Sequence, residues 1–410
     1  MASATSDARR ILVARALRSF SDGYVVISLG VYLASLGLNT ALIGLILTAT
    51  LVGSAGQTVL TAFFADRFGR RTFMLLLSGL MVVACTLFAT ANDFWVLMVA
   101  AFSGGLIATS LGGGAFLSLD QAILPQTAPD EQRTRVLVFY NLLSAVFGSL
   151  GSLFAGLATG VAGPGQELLA FRVMFGLSGV LGCANLVLIG GLSRSVERLE
   201  PRQPASFVGV HRSRGTLVKL SALSGMDSLA AGFAIQSIVA LWFSQRWHVG
   251  LETLGPIFFG VNLLNAVSYL VAERLARRVG LLRTIIFTHV PASLMMALVP
   301  LMPSLELAIV VYVGRQFLGE MDAPARQSYY MAIVDPDERV PVASLTNLAR
   351  SAVGAASPVL AGYTMSALTL GVPFFCFTAL KMVYLGSTFA LFHRVHTPEE
   401  LARATATSQR

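Results

Sequence analysis

Asp22 and Asp227 stand where a charge is expensive. Each falls near the middle of a long apolar run, and the two are 205 positions apart. An ionisable side chain at bilayer depth usually faces a cavity or a partner. A carboxyl group facing a cavity can take up and release a proton, which makes both acids candidates for proton or cation handling. The plainer alternative is a helix–helix hydrogen bond, or for Asp22 an ion pair with Arg18, one turn earlier. Arg315 and Arg350 are the cationic counterparts inside apolar runs. A guanidinium at depth can grip a carboxylate or phosphate through two parallel hydrogen bonds, or pair with Asp227 or Glu320 and hold the fold. Lys381 is expected to snorkel or to make a local pair. Arg18, Gln57, Asn141, Gln236, Asn262, Asn265 and Asn347 join Arg315 and Arg350 as candidate substrate contacts. Taken singly, an amide in such a place is more often an interhelical hydrogen bond, worth about 0.6 kcal/mol.

A second group of charges sits between the apolar runs. Ala65-Asp66-Arg67-Phe68-Gly69-Arg70-Arg71 is a short charged loop, and Ala272-Glu273-Arg274-Leu275-Ala276-Arg277-Arg278 copies it 207 positions later. Gly69 permits a turn with positive φ. Asp66 suits a helix N-terminus, where partial positive charge stabilises a carboxylate, while Arg70 and Arg71 are expected to face acids or lipid phosphates. With Arg67, Glu273, Arg274 and Arg277 these are candidate gating residues, against the alternative of a basic topology anchor. Asp120 ends the fourth apolar run, and Glu320, Asp322 and Arg326 end the tenth, near Arg133, Arg135 and Arg339. They are candidate gate ion pairs, with solvated loop charge as the alternative.

The elements that must position these groups are membrane spans. Charged residues are 12% of the chain, against about 25% in soluble domains. Twelve apolar runs are long enough to cross a hydrocarbon core of about 30 Å as helices, at roughly 12–36, 40–63, 72–91, 94–118, 135–160, 168–192, 216–244, 250–272, 282–303, 304–325, 342–366 and 370–393. Runs this continuous are helices rather than barrel strands. With the N-terminus cytoplasmic, 24 of the 29 Lys and Arg fall at inside positions, as the positive-inside rule requires. That distribution reads the net charge of +8 as topology, not nucleic-acid binding. The first apolar segment is too long for a cleaved signal peptide and carries Asp22. The predicted organisation is an N-terminal six-helix bundle (1–192), a basic cytoplasmic linker (193–215), a C-terminal six-helix bundle (216–394) and a cytoplasmic tail (395–410). The linker could instead form a short amphipathic helix on the anionic inner leaflet. Cys85, Cys183 and Cys376 lie in apolar segments and read as reduced packing residues.

The two halves align. Asn141 and Asn347, Gly148 and Gly354, and Ala155-Gly156 and Ala361-Gly362 all match at an offset of 206, and Asp22 matches Asp227 at 205. Six spans plus six with both copies facing one side are parallel repeats about an axis normal to the membrane.

The loop at 65–71 between the second and third spans, with its copy between the eighth and ninth, resembles the signature loop of the major facilitator superfamily. That resemblance implies an all-α membrane protein with twelve transmembrane helices in two six-helix bundles, pseudo-two-fold about the membrane normal, working by alternating access. It places Asp66 at the start of the eleventh span. It also lines the central cavity with the first, fourth, seventh and tenth spans, so that Asp22 and Asp227 face one another. Gly148 to Gly156 in the fifth span lacks the proline of the drug-exporter motif, and Ser193 to Arg198 does not resemble the sugar-porter string. The expected function is proton-coupled export of a small molecule across the cell inner membrane. The alternatives are proton-linked uptake of a small anionic metabolite, metal-ion export, and a ligand sensor that does not transport. No phosphate-loop string, nucleophile–base pairing or His/Cys ligand spacing is present, so no enzymatic activity, cofactor or resident metal is expected. The expected partners are a small-molecule substrate, protons and the lipid bilayer, with no nucleic acid; the sequence does not specify an oligomeric state.

Overall fold

The computed structural model describes residues 2–106, 114–124, 133–163, 165–197, 214–279, 281–321, 326, 329, 334 and 338–392, and these form helices and short connections with no strand. Spans one to three are α1 (Ala2–Ser35), α2 (Thr40–Phe68) and α3 (Arg70–Thr90); span four is α4 (Phe94–Phe102) with α5 (Ala115–Ile123). Spans five and six are α6 (Arg133–Ala162) and α7 (Glu167–Gly190). Span seven is α8 (Arg214–Gly232) with α9 (Gln236–Trp247), and spans eight to ten are α10 (Leu251–Val279), α11 (Leu281–Leu298) and α12 (Leu305–Gly319). Span eleven is α13 (Arg339–Gly354) with α14 (Ser357–Ala367), and span twelve is α15 (Val372–Phe392). Most of the linker and the whole 395–410 tail lie outside the described residues.

The short links carry their own caps. Asn39 Oδ1 accepts from the Leu42 N–H at 2.9 Å, and Asp93 Oδ1 accepts from the N–H groups of Trp95 at 2.9 Å and Val96 at 3.1 Å. These bonds satisfy donors that a helix start leaves unpaired. Gly69, between α2 and α3, takes φ +96°, the turn geometry expected of the signature loop.

Three spans predicted as continuous helices are broken. In span four, α4 stops at Phe102 and Gly104 takes φ +71°, which no helix contains. Span seven breaks between Gly232 and Gln236. Span eleven breaks at Ala355 and Ala356, and Pro358 then occupies the first turn of α14, where its missing N–H is harmless. Seven stretches among the described residues are long and apolar enough to span a membrane by themselves, in spans two, three, five, six, seven, nine and twelve. Of the others, spans four and eleven are broken, span ten has a 15-residue helix, and spans one and eight carry several charges or amides.

The chain folds as two compact units. The first is Met1–Arg202 with Ile235–Leu263 and Pro358–Leu370; the second is Gln203–Ala234 with Leu264–Ser357 and Gly371–Arg410. The units therefore do not coincide with the two sequence halves, because α9, the first half of α10 and nearly all of α14 belong with the N-terminal spans. The core of the first unit is aromatic on one side, with the Tyr32 ring tilted against Phe175 at 4.9 Å between centroids and its hydroxyl donating to the Phe88 carbonyl at 2.6 Å. The second unit is centred on Leu220, Ile285, Tyr329 and Tyr384.

Each unit contains the same helix crossing. In the first, a Cβ at Gly23 would run into the Gly148 carbonyl oxygen, so α1 and α6 touch backbone to backbone. In the second, a Cβ at Gly354 would run into the Ser228 side chain, so α8 and α13 cross at the equivalent place. Positions 23 and 148 are the repeat equivalents of 228 and 354, so the internal repeat read from the sequence is present in the packing.

Candidate functional site

Arg15, Arg18 and Asp22 lie three and four residues apart on α1, which puts them on one face. That face forms a wall of a small cavity, partly open to solvent, in the first unit. Ser54 and Gln57 from α2, Leu77 and Met81 from α3, and Phe116 and Leu117 from α5 also line it. The three charges are in different states. Arg18 is nearly fully buried and forms an ion pair with Asp120 at 2.6 Å, while its other terminal nitrogen donates to Asn185 Oδ1 at 2.9 Å. Its guanidinium lies 4.3 Å from the Phe116 ring centroid. Asp120, fully buried, also accepts from the Tyr140 hydroxyl at 2.8 Å, and Asn185 passes the chain on by donating to Ser78 Oγ at 2.7 Å. Arg15 donates to Ser144 Oγ at 2.6 Å and lies 4.9 Å from the Tyr140 ring centroid; its Nε is buried without a hydrogen-bond partner among the described residues. Asp22, half-buried, makes no hydrogen bond or ion pair among the described residues.

The second unit holds Asp227 differently. Its carboxylate accepts from Lys381 Nζ at 2.5 Å and from Arg326, with Arg350 and His289 close enough to act on its charge. Lys381 and Arg315 share the Phe377 ring, at 5.5 and 5.0 Å from its centroid. Position 326 is the repeat equivalent of 120, so both units carry a buried ion pair between their first and fourth spans, with the polarity reversed. In the first unit the cation is on the first span and the acid on the fourth; in the second the acid comes first.

The structure thus gathers Arg18, Asp22 and Gln57 in one place and Asp227, Arg326 and Arg350 in another. Gln57 donates to the Ser103 carbonyl at 2.7 Å, tying α2 to the end of α4. Gln236 and Asn262 bond each other at 2.9 Å, and Asn262 reaches Ser152 at 3.2 Å. Asn141 and Asn347 are exposed, Asn265 is half-buried, and Glu320 caps α12. Asp120 and Arg326, candidates for gate ion pairs, sit in buried ion pairs with Arg18 and Asp227, which the tertiary fold brings beside them. In the 65–71 loop, Arg71 donates to the Gly190 carbonyl; the last carbonyls of α7 lack helical partners. Arg70 is buried, while Arg67 and Arg274 are exposed. The side chains of Asp66, Glu273 and Arg277 and the whole of Asp322 lie outside the described residues. Arg15, Ser54, Tyr140 and Asn185 were missed. Only Arg15 had a local signal, its spacing from Arg18 and Asp22.

A family model described as Major Facilitator Superfamily matches residues 11–358. An uncharacterised membrane protein of Saccharomyces cerevisiae, YJR124C, is 22% identical over 395 residues, covering 88% of this chain and 88% of its own length. An uncharacterised MFS-type transporter of Bacillus subtilis, YceJ, is 22% identical over 373 residues, or 89% of this chain and 91% of its own. Among solved structures, the nucleoside transporter NupG superposes with a TM-score of 0.74 at 12% identity, over 94% of this chain and 99% of that one. At that identity the likeness concerns the fold.

Proposed function

The chain belongs to the major facilitator superfamily, and from that membership we propose that it exports a small molecule in exchange for protons, with Asp22 as the proton-carrying group. Membership makes it a multi-pass membrane protein and a secondary transporter rather than an enzyme. The finer reading rests on the state of Asp22, a carboxylate on a cavity wall with no hydrogen bond or ion pair among the described residues. A proton and a cationic group of the cargo compete for such a carboxylate. Alternating access then converts that competition into exchange. An inward proton gradient drives the cargo out, across a cell inner membrane with both termini cytoplasmic. Asp227 is already neutralised by Lys381 and Arg326, so its role in this scheme is to hold the second unit together.

A second reading, proton-linked uptake of a small anion, is favoured by the cations gathered on Asp227: Arg326, Lys381 and Arg350 all act on its charge. One experiment separates the two. Everted membrane vesicles carrying the protein are incubated with a small-molecule extract, energised by respiration, and compared by mass spectrometry with vesicles lacking it. A cargo is expected to accumulate, and the accumulation is expected to vanish with a protonophore and in Asp22→Asn. Accumulation in right-side-out vesicles alone would favour uptake. Accumulation indifferent to both protonophore and Asp22→Asn would remove Asp22 from proton coupling.

A further inference from the structure

Arg15 and Asp22 are opposite charges that face one cavity and do not meet. Arg15 is 7% exposed, its nearest hydrogen-bond partner is the neutral Ser144, and its Nε is unsatisfied among the described residues. Asp22 has no hydrogen bond or ion pair among the described residues. The cation between them, Arg18, is taken up by Asp120 and Asn185 and covered by Phe116. A charge with no counter-ion in contact is costly where water is scarce, and the cavity wall presents two such charges of opposite sign, Arg15 held by the Ser144 hydroxyl and the Tyr140 ring and Asp22 by no hydrogen bond among the described residues. Resting on the reading that this cavity is the transport site, we propose that it takes a small zwitterion, a molecule with an anionic group for Arg15 and a cationic group for Asp22. Seven residues of helix separate the two positions, about 10 Å along the axis, which bounds the charge separation of the ligand. Leu77, Met81 and Leu117 supply an apolar strip for a short methylene chain, and Ser54 and Gln57 supply neutral polar contacts. A simple cation would meet Arg15, and a simple anion would meet Asp22; only a ligand with both groups satisfies both walls.

The test is a thermal-shift titration of the purified full chain with glycine, 4-aminobutyrate and 6-aminohexanoate, each ω-amino acid set against its matched fatty acid and alkylamine. A ligand that binds the folded form raises its apparent stability. At least one zwitterion is expected to stabilise the protein more than either matched mono-ion. Its affinity is expected to fall about tenfold or more in Arg15→Gln and in Asp22→Asn, the loss of one charge-assisted hydrogen bond. In Arg15→Gln the ranking should move toward the alkylamine, and in Asp22→Asn toward the fatty acid. Arg15→Lys, which keeps the charge and the bulk, should retain the preference for the zwitterion, so a folding defect in Arg15→Gln does not decide the result. Equal responses to the zwitterion and a mono-ion, an unchanged ranking in both charge-removing variants, or no response to any zwitterion would each overturn the proposal. The vesicle experiment stands apart. Proton-dependent transport lost in Asp22→Asn, without zwitterion binding, sinks the ligand class alone. Zwitterion binding with transport indifferent to Asp22→Asn sinks the coupling role alone.

Discussion

Arg18 and Asp120 are buried so completely that neither can lose its partner without leaving a bare charge in the first unit. Breaking such a pair from one side costs about 3–5 kcal/mol, whereas replacing both members with apolar residues of similar volume is often neutral. Asp120→Ala is therefore expected to lower the thermal stability of the purified protein sharply, and the double variant Arg18→Met/Asp120→Leu to recover most of the loss. Equal stabilities for the single and the double variant would mean that the pair is not a coupled unit. The reversed pair, Asp227 with Arg326, gives the same expectation in the second unit, moderated by Lys381, which keeps the acid neutralised if Arg326 is removed. What distinguishes Asp22 from both paired acids is position along the helix. One turn beyond Arg18, it faces the cavity, and Asp120 and Asn185 have already occupied the guanidinium that the sequence offered it.

At the scale of the helix, close approach decides which glycines matter. A methyl group at Gly23 has nowhere to go, because the Gly148 backbone is already in contact. Gly23→Ala is expected to destabilise by about 1–3 kcal/mol, the usual penalty for overpacking. Gly176, in the middle of α7, meets nothing within 4 Å of a Cβ. Gly176→Ala should leave stability unchanged or raise it by up to about 1 kcal/mol. Thermal unfolding of the two variants side by side checks the contrast, and similar losses in both would remove close packing as the cause. Both glycines look alike in the sequence. What was legible there is what depends on neighbours along the chain: the apolar runs, the positive φ of Gly69, and the shared face of Arg18 and Asp22. The equivalence of Gly148 with Gly354 was legible too, because a repeat reports tertiary packing indirectly. The breaks in spans four, seven and eleven were not, since their small residues are tolerated within helices and only the surrounding packing ends them. Nor was the partner of Asp120, which depends on α1 and α6 converging on α5.

For the whole molecule, the composition of the first unit carries a functional consequence. It unites spans of the N-terminal half with α9, the first half of α10 and nearly all of α14. A transporter that works by alternating access must part contacts between its two sequence halves on one face when it opens there. Within the first unit those contacts form a polar ladder. Asn262 donates to Ser152 Oγ at 3.2 Å and Ser237 donates to the Val26 carbonyl at 2.5 Å, while Gln236 braces Asn262 from within the C-terminal half. Asn262 is the rung that joins α10 to α6, and its loss removes one bond between the halves, about 0.6 kcal/mol, or about threefold in the balance between closed and parted states. Ala240, fully buried in α9, supplies the reporter. With Cys85, Cys183 and Cys376 replaced, Ala240→Cys should react slowly with a membrane-impermeant maleimide. Adding Asn262→Ala should speed that labelling by about threefold, and adding Gln236→Ala, whose bond lies within the C-terminal half, by less. Unequal bonds would alter those factors but not their order. If labelling is unchanged by Asn262→Ala, the ladder is packing rather than a latch. The residues that then hold the seam would be the close backbone contacts of Gly30 with Ser237 and of Gly156 with Gly255.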